Sequence, residues 1–387
     1  MITDAIKKML PEKIKMPIRR IRRKIKILLS SVKMRKNREI KIRLFLENYD
    51  INIKKWIVFL TPGFDIVNGG ILSISSLYLE TAKLKHIHGA NTLLCTVPGD
   101  PPLLKYTKFK NDNIIYELID TLRYIPPGSS VLIHIPEYAL HTFVKEFGGF
   151  GGIYRLINRR NISCDFNIML QNIKQLPPTA SADIQFLKRF GKVTVTTAHK
   201  RYCTLENARQ FGVPFHLLSV FVSPEKYVRK QYSEKENLMI ISPDYHKDKQ
   251  EIIETIKRNI PDLKIIEIKN MKYEDYKKTI ENAKWALTFG EGLDGYFVET
   301  IFSGGIAFAV YNEEFFTPDF KTLQTVYPDY KTLQEQICKD IKRMDTEREY
   351  TAYQEHQYAL CAKYYNYHDY VRNLEAFYKG GYTHAID

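Results

Sequence analysis

The sequence predicts an α/β protein made of two doubly wound halves in tandem, with a short helical segment at each end. Two observations predict it. After residue 50, short β-rich apolar runs alternate with amphipathic stretches of helical period, the pattern of parallel strands joined by crossover helices. That series then restarts near residue 238 without visible sequence repetition. The runs 56-WIVFL-60, 92-TLLCTV-97, 131-VLIHI-135, 166-FNIML-170 and 192-KVTVTT-197 read as buried parallel strands of the first half. The segment 111-NDNIIYELIDTLRYI-125 reads as one of the helices between them. A crossing segment near 213-VPFHLLSVFVSP-224 leads to the second series, 238-LMIIS-242, 263-LKIIEI-268, 285-WALTF-289 and 306-IAFAV-310. Helices are expected over 247–258 and 273–283, and a tyrosine-rich helical segment over 330–379. The spacing of those tyrosines suits packing against a core better than a ligand platform. The expected divisions are a basic segment 1–45, a first Rossmann-like domain 46–220, a second 221–345, and C-terminal helices 346–387 that pack back across both.

Composition bounds the rest. The chain has 387 residues, 44% hydrophobic and 26% charged, enough for two cored domains. Five widely spaced cysteines, with no C-x-x-C pair, suggest neither a disulfide framework nor a zinc site, and fit a reducing cytoplasmic setting. No apolar run approaches a bilayer span, and the N-terminus lacks the apolar core of a signal peptide. Residues 1–45 hold 16 Lys or Arg against three acids, which is nearly all of the formal net charge of +14. One basic appendage on an almost neutral body is therefore expected, not a body-wide nucleic-acid surface. Within 17-PIRRIRRKIKILLSSVKM-34, Ile18, Ile21, Ile25, Leu29 and Val32 recur at helical spacing among cations, and Pro17 suits the first helical position. A cationic helix with one apolar stripe fits an anionic membrane surface. Packing on the chain's own body or on a partner, and a nucleic-acid arm, are the alternatives; the segment has no aromatic side chains for stacking on bases.

Candidate chemistry is sought just beyond the strand ends, where open α/β sheets bind ligands. Gly69 and Gly70 open a helix after the first strand, where backbone N–H groups and the positive helix end suit phosphate, although a tight turn explains them equally. The full G-x-G-x-x-G spacing of a dinucleotide fingerprint is missing. His134 lies near the end of the third run and Glu137 just beyond it; either could act as a base, or be a core histidine and a first-turn acid. Asp244, His246, Lys247 and Lys249 gather after the first strand of the second half, where cations could stabilise a leaving diphosphate. In 289-FGEGLDGYFVETIFSGG-305, Glu291 follows a strand and Glu299 lies in a helix, placed to hold sugar hydroxyls.

At this stretch the sequence resembles the GT-B glycosyltransferases of the group-1 type, whose second domain carries a Glu-x7-Glu element between a strand and a helix. Glu291-GLDGYFV-Glu299 matches that spacing, and 300-TIFSGGIAFAV-310 resembles the Gly-rich helix exit into the next strand. The likeness in architecture spans residues 50–380; likeness in motifs is confined to Gly69-Gly70, His134 and 289–305. It implies Glu299 on the donor ribose, Glu291 near the donor sugar, Gly69 and Gly70 near the diphosphate, and His134 close to the reacting sugar. Glu137 would be the base if the enzyme inverts; the Glu pair implies retention. His246, Lys247 and Lys249 are the candidate diphosphate cations, though 244-DYHKDK-249 departs from the usual arginine and lysine arrangement, and Gly292 and Tyr296 complete the expected donor contacts. No D-x-D occurs, so a metal-independent transfer with no cofactor is expected, the nucleotide-sugar serving as co-substrate. The expected partners are a nucleotide-sugar, a saccharide or lipid-linked acceptor, and an anionic membrane through residues 1–45, with no nucleic acid. The expected setting is bacterial lipopolysaccharide or capsule assembly, peripheral on the inner face of the cell membrane. A nucleotide-sugar 2-epimerase and a non-catalytic glycan-assembly scaffold are the competing readings.

Overall fold

The computed structural model describes residues 36–66, 68–109, 112–149, 152–219, 226–269 and 271–386. The amphipathic pattern over 17–34 falls outside them. Two wholly parallel sheets are present. The first runs β3-β2-β1-β4-β5-β6-β7, from β1 (Lys55–Thr61), β2 (Asn91–Thr96), β3 (Ile115–Glu117), β4 (Ser130–Pro136), β5 (Ser163–Leu170), β6 (Val193–Thr197) and β7 (Phe215–Leu217). The second runs β12-β11-β10-β8-β9, from β8 (Glu236–Ile241), β9 (Lys264–Glu267), β10 (Ala283–Leu287), β11 (Ile306–Val310) and β12 (Val326–Tyr327). Helices cover both faces of each sheet, so central strands such as β2 and β10 are buried along their whole length and read as continuous apolar runs.

In the first sheet β1 has β2 on one side and β4 on the other; in the second, β8 has β9 on one side and β10 on the other. The direction of winding reverses at these pairs, and helices leave toward opposite faces. A crevice opens at the carboxyl ends between β1 and β4, and another between β8 and β10. Every one of the site residues expected from sequence lies on one of those four strands or in the loop and helix that follow it.

The segment 111–125 is not one helix. Ile115 and Tyr116 are β-prone and buried, and they pair with Leu94 and Cys95 as edge strand β3 before a shorter helix, Leu118–Tyr124, begins. Helical periodicity in the second part of that stretch masked the strand in the first.

Residues 36–48 form a helix that packs on the first sheet. Phe45 stacks on Trp56 with centroids 5.5 Å apart and meets Tyr116 edge-on at 5.7 Å. Arg38 makes a two-pronged ion pair with Asp120 at 2.7 and 2.6 Å, and Lys41 pairs with Glu117. This part of the basic segment is held by the body of the protein. Among the described residues no helix is long and apolar enough to cross a membrane.

The C-terminal tyrosines pack into the cores, as their spacing predicts. Tyr350 is buried and its hydroxyl donates to the carbonyls of Lys284 and Gly304. On the same helix, Glu347–Tyr364, Gln357 bridges the N–H and C=O of Ala307 on β11, at 3.0 and 2.8 Å. The next helix, Tyr367–Tyr378, crosses to the first sheet, where Tyr370 and Leu374 join Ile57, Phe59 and Ile71. His384 then pairs antiparallel with Phe215 on β7.

Candidate functional site

The two crevices face each other, and side chains from both meet between them. β5 ends at Leu170, and the chain turns through Gln171 and Asn172 into a short helical turn, Ile173–Gln175. Asn172 accepts from the Lys174 N–H through Oδ1 at 2.9 Å, which fixes its amide so that Nδ2 points the other way. That Nδ2 donates to Glu291 Oε1 in the second half. The Asn172 backbone N–H donates to Glu137 Oε1 at 2.9 Å. One residue thus joins a carboxylate from the β4 end to a carboxylate from the β10 end. Beside it Lys174 pairs with Glu314 at 2.7 Å and lies 5.6 Å from the Phe315 ring, which His199 meets edge-on at 5.3 Å.

Burial sets the electrostatics here. Glu137 is 2% exposed, its Oε2 makes no hydrogen bond, and loss of water pushes its carboxyl up to about 7 against the N–H bonds it accepts. Glu291 is also raised to about 7, by burial first and then by Asp244, with Lys174 opposing. Asp294 is pushed well above the usual carboxylate range by burial, with Asp244 and Glu291 adding to it. Carboxylates that share so little countercharge hold protons near neutrality, which suits hydrogen bonding to hydroxyls and proton exchange with them.

The loop carrying Glu291 has its shape from glycine. Gly290 and Gly292 have φ of +69° and +76°, and a Cβ on Gly292 would stand 2.7 Å from the Phe316 ring and 2.9 Å from the Val310 carbonyl. Asp294 caps the following helix, Gly295–Phe302, by accepting from the Phe297 N–H at 3.0 Å. Glu299 leans back over the first turn of that helix; Gly295 leaves the room, since a Cβ there would lie 3.2 Å from Glu299 Oε1. The Glu299 carboxyl faces the hydroxyls of Tyr276 and Tyr227, is raised to about 7 by burial, and has an Oε2 without a hydrogen bond. Tyr296 packs edge-on to Tyr276 at 5.5 Å in the same group.

The structure therefore brings Glu137 and Glu291 together through Asn172, and groups Glu299 and Tyr296 with Tyr276 on the helix that follows the Gly292 loop. It places His134 elsewhere. That imidazole is wholly buried on β4, stacked on Phe59 with centroids 4.2 Å apart; Asn167 Nδ2 donates to Nδ1 at 2.9 Å, and Nε2 meets the Tyr378 hydroxyl at 3.1 Å. Burial holds it at about 3, hence neutral, and no face of it is open to a ligand. Lys249 is likewise occupied: Nζ donates to the carbonyls of Ser242 and Asp244 at 2.6 and 3.0 Å and to Glu267 at 2.7 Å, fastening the loop after β8. His246 stacks on Tyr330 at 3.6 Å and accepts from the Asp248 N–H, while Lys247 is exposed. Gly69 and Gly70 begin the Gly69–Lys83 helix, capped by Asn68, whose Oδ1 accepts from the Ile71 N–H at 2.8 Å. A Cβ on Gly69 would meet nothing within 4 Å, whereas one on Gly70 would lie 3.0 Å from Gln171 Oε1.

Asn172, Lys174 and Asp294 were missed by the sequence reading. Asn172 and Lys174 follow an apolar strand directly, a position that could have drawn attention; Asp294 is a helix cap whose proximity to Glu291 follows only from the glycine loop. Among the described residues no group of three or more His, Cys, Asp or Glu side chains could hold a metal ion.

No family model matches the sequence, and no curated protein does. Solved structures do match in fold. The OtsA trehalose-6-phosphate synthase superimposes with a TM-score of 0.51 at 10% identity, covering 84% of this chain and 98% of that one. A trehalose-6-phosphate protein of E. coli bound with UDP-2-fluoro glucose gives 0.50 at 10% identity, over 84% and 98%. The α,α-trehalose 6-phosphate synthase of Burkholderia multivorans gives 0.50 at 10%, over 85% and 98%. At such identity the likeness is one of fold: two Rossmann-like units in the GT-B arrangement.

Proposed function

We propose that the protein is a glycosyltransferase that moves a sugar from a nucleotide-sugar to a saccharide or lipid-linked acceptor. The observation that carries this reading is the meeting of Glu137, Asn172, Glu291 and the Glu299 helix between two parallel sheets, at the winding reversal of each. Two of the similar folds are named as sugar-phosphate synthases and one was solved with a UDP-sugar, which agrees with it. Glu299, with a free buried oxygen beside tyrosine hydroxyls, suits the paired hydroxyls of a ribose, and Glu291 suits those of the transferred sugar. The diphosphate would lie toward the Gly69–Gly70 helix start, where the positive helix end suits an anion, with the exposed Lys247 as a candidate cation. Lys249 would act by holding its loop, and His134 by supporting β4. No metal or cofactor is invoked.

With the Glu pair as donor grip we favour retention of configuration; Glu137 would serve as base in the inverting case. The cations of residues 1–45 fit attachment to an anionic membrane on the cytoplasmic face, and hence lipopolysaccharide or capsule assembly. UDP and UDP-sugars should raise the melting temperature, since a ligand that prefers the native state stabilises it. Glu299→Ala, folded by circular dichroism, should lose that shift. An unchanged shift would sink the donor-site assignment, and turnover of the UDP-sugar with no acceptor would favour an epimerase.

A further inference from the structure

A second cavity, of about 370 Å³, opens at the opposite end of the first sheet. It lies between the end of the 36–48 helix, the Gly69–Lys83 helix, the edge strand β3 and its neighbour β2. β2 runs from Asn91 at this cavity toward the cleft, and six residues at about 3.3 Å each put the two sites on the order of 20 Å apart. The volume is within the range of small-molecule sites.

The lining chemistry is specific. The hydroxyls of Tyr49, Tyr78 and Tyr116 converge, and burial keeps them protonated, that of Tyr116 being pushed up to about 12. Thr92 is 7% exposed, lines the cavity, and its Oγ1 makes no hydrogen bond. Asn91 is held by donating to the Asp50 carbonyl at 2.8 Å, which turns its Oδ1 toward Lys85 Nζ at 3.4 Å. A cation would find no carboxylate in the floor, since Asp112 is on the rim with its side chain 95% exposed and directed to Lys105 at 3.8 Å. An anion would find the single cation Lys85. An apolar ligand would meet none of these hydroxyls and carboxamides, at a cost of about 1–3 kcal/mol for each group left unmet. What satisfies donors, acceptors and tyrosine rings together is a neutral molecule bearing many hydroxyls on a small carbon frame.

We propose that this cavity is a binding site for a neutral saccharide unit, separate from the cleft. It does not depend on the cleft's being a transferase site. If the cleft is one, the cavity would hold part of a glycan chain while another part reacts.

The test uses the full-length protein with lactose, maltose and methyl α-glucoside as probes, each read by saturation-transfer NMR with and without UDP. At least one should bind at millimolar concentration, with UDP and Glu299→Gln leaving the signal unchanged. Thr92→Val, which keeps shape and removes the hydroxyl, should weaken it at least tenfold. Tyr78→Phe on the partly exposed helix should do the same and guards against a folding defect in the strand variant. The proposal is overturned if none of the three sugars binds, if UDP or Glu299→Gln abolishes binding, if neither cavity variant alters it, or if inorganic phosphate displaces the sugar.

Discussion

Two sets of buried polar side chains behave in opposite ways: one centres on His134 in β4, the other on Glu137, just past the end of that strand, and on Glu299 in the helix after β10. The first, inside the sheet, is closed. His134 receives a hydrogen bond from Asn167, Asn167 also donates to Thr196 and accepts from Thr194, and Tyr378 covers the remaining imidazole nitrogen. The second, at the strand ends, is open: Glu137 and Glu299 each keep one buried oxygen without a partner. Leaving such an atom unmet costs about 1–3 kcal/mol, and more for a charge. A satisfied ladder stabilises and specifies the sheet; an unsatisfied carboxylate in a cleft is a cost that a ligand can relieve. Burial alone would have ranked these residues together, and the state of their partners separates them.

The largest expected effect breaks the open set. Glu291→Gln keeps the size of the side chain and removes its charge and basicity. If Glu291 stabilises the reacting sugar, kcat should fall by about 10²–10³, with melting temperature within a few degrees of the parent. Equal kcat in steady-state assays would remove Glu291 from the chemistry. The closed set should fail in the other direction. His134→Ala leaves a cavity and strips a partner from both Asn167 and Tyr378, so urea unfolding should show a loss of about 3–5 kcal/mol, the range for deleting a buried ring. Any protein that remains folded should still bind UDP with near-parental affinity. Loss of UDP binding in folded His134→Ala protein would mean that the ladder reaches the site.

The sequence made most of the fold legible because parallel strands buried on both faces are written as unbroken apolar runs, and nine of the twelve strands among the described residues are recognisable that way. β3, β7 and β12 were not. They have three, three and two residues, too short for any period, and their strand character comes from the neighbour they pair with. The site was legible in part. Glu291, Glu299 and Glu137 follow strands and could be picked by position. The placing of His134 could not, because the same imidazole at a strand end is a ligand contact or a core residue depending on Asn167 and Tyr378, 33 and 244 positions away. Lys249 read as a free cation because two of its acceptors are backbone carbonyls, which sequence does not display, and the third, Glu267, is 18 positions away. Asn172 carries no charge and no motif, and its importance arises only when two sheets face each other.

The contrast also predicts how stability depends on pH. Glu137 is raised from 4.5 to about 7, so its proton is held more tightly folded than unfolded. Below pH 4.5 both states are protonated and the folded state bears no penalty. As pH rises through 4.5 the unfolded chain ionises first, and the contribution of the bound proton is lost progressively until the folded carboxyl ionises near 7. At about 1.4 kcal/mol per pH unit, the full span is on the order of 3 kcal/mol for this group, an upper bound because Glu291 titrates with it. Glu137→Gln does not titrate, so its stability relative to the parent should climb across that window, measured by urea unfolding at closely spaced pH. The closed ladder offers the control: His134, held near 3, stays neutral in the folded protein while the unfolded imidazole protonates below 6.5, a slope of opposite sign that parent and Glu137→Gln share and that cancels in their difference, and Thr194→Val should shift stability by a constant. A Glu137→Gln difference that stays flat with pH would show that the carboxyl is ionised in the folded protein, and would place Glu137 with the satisfied residues.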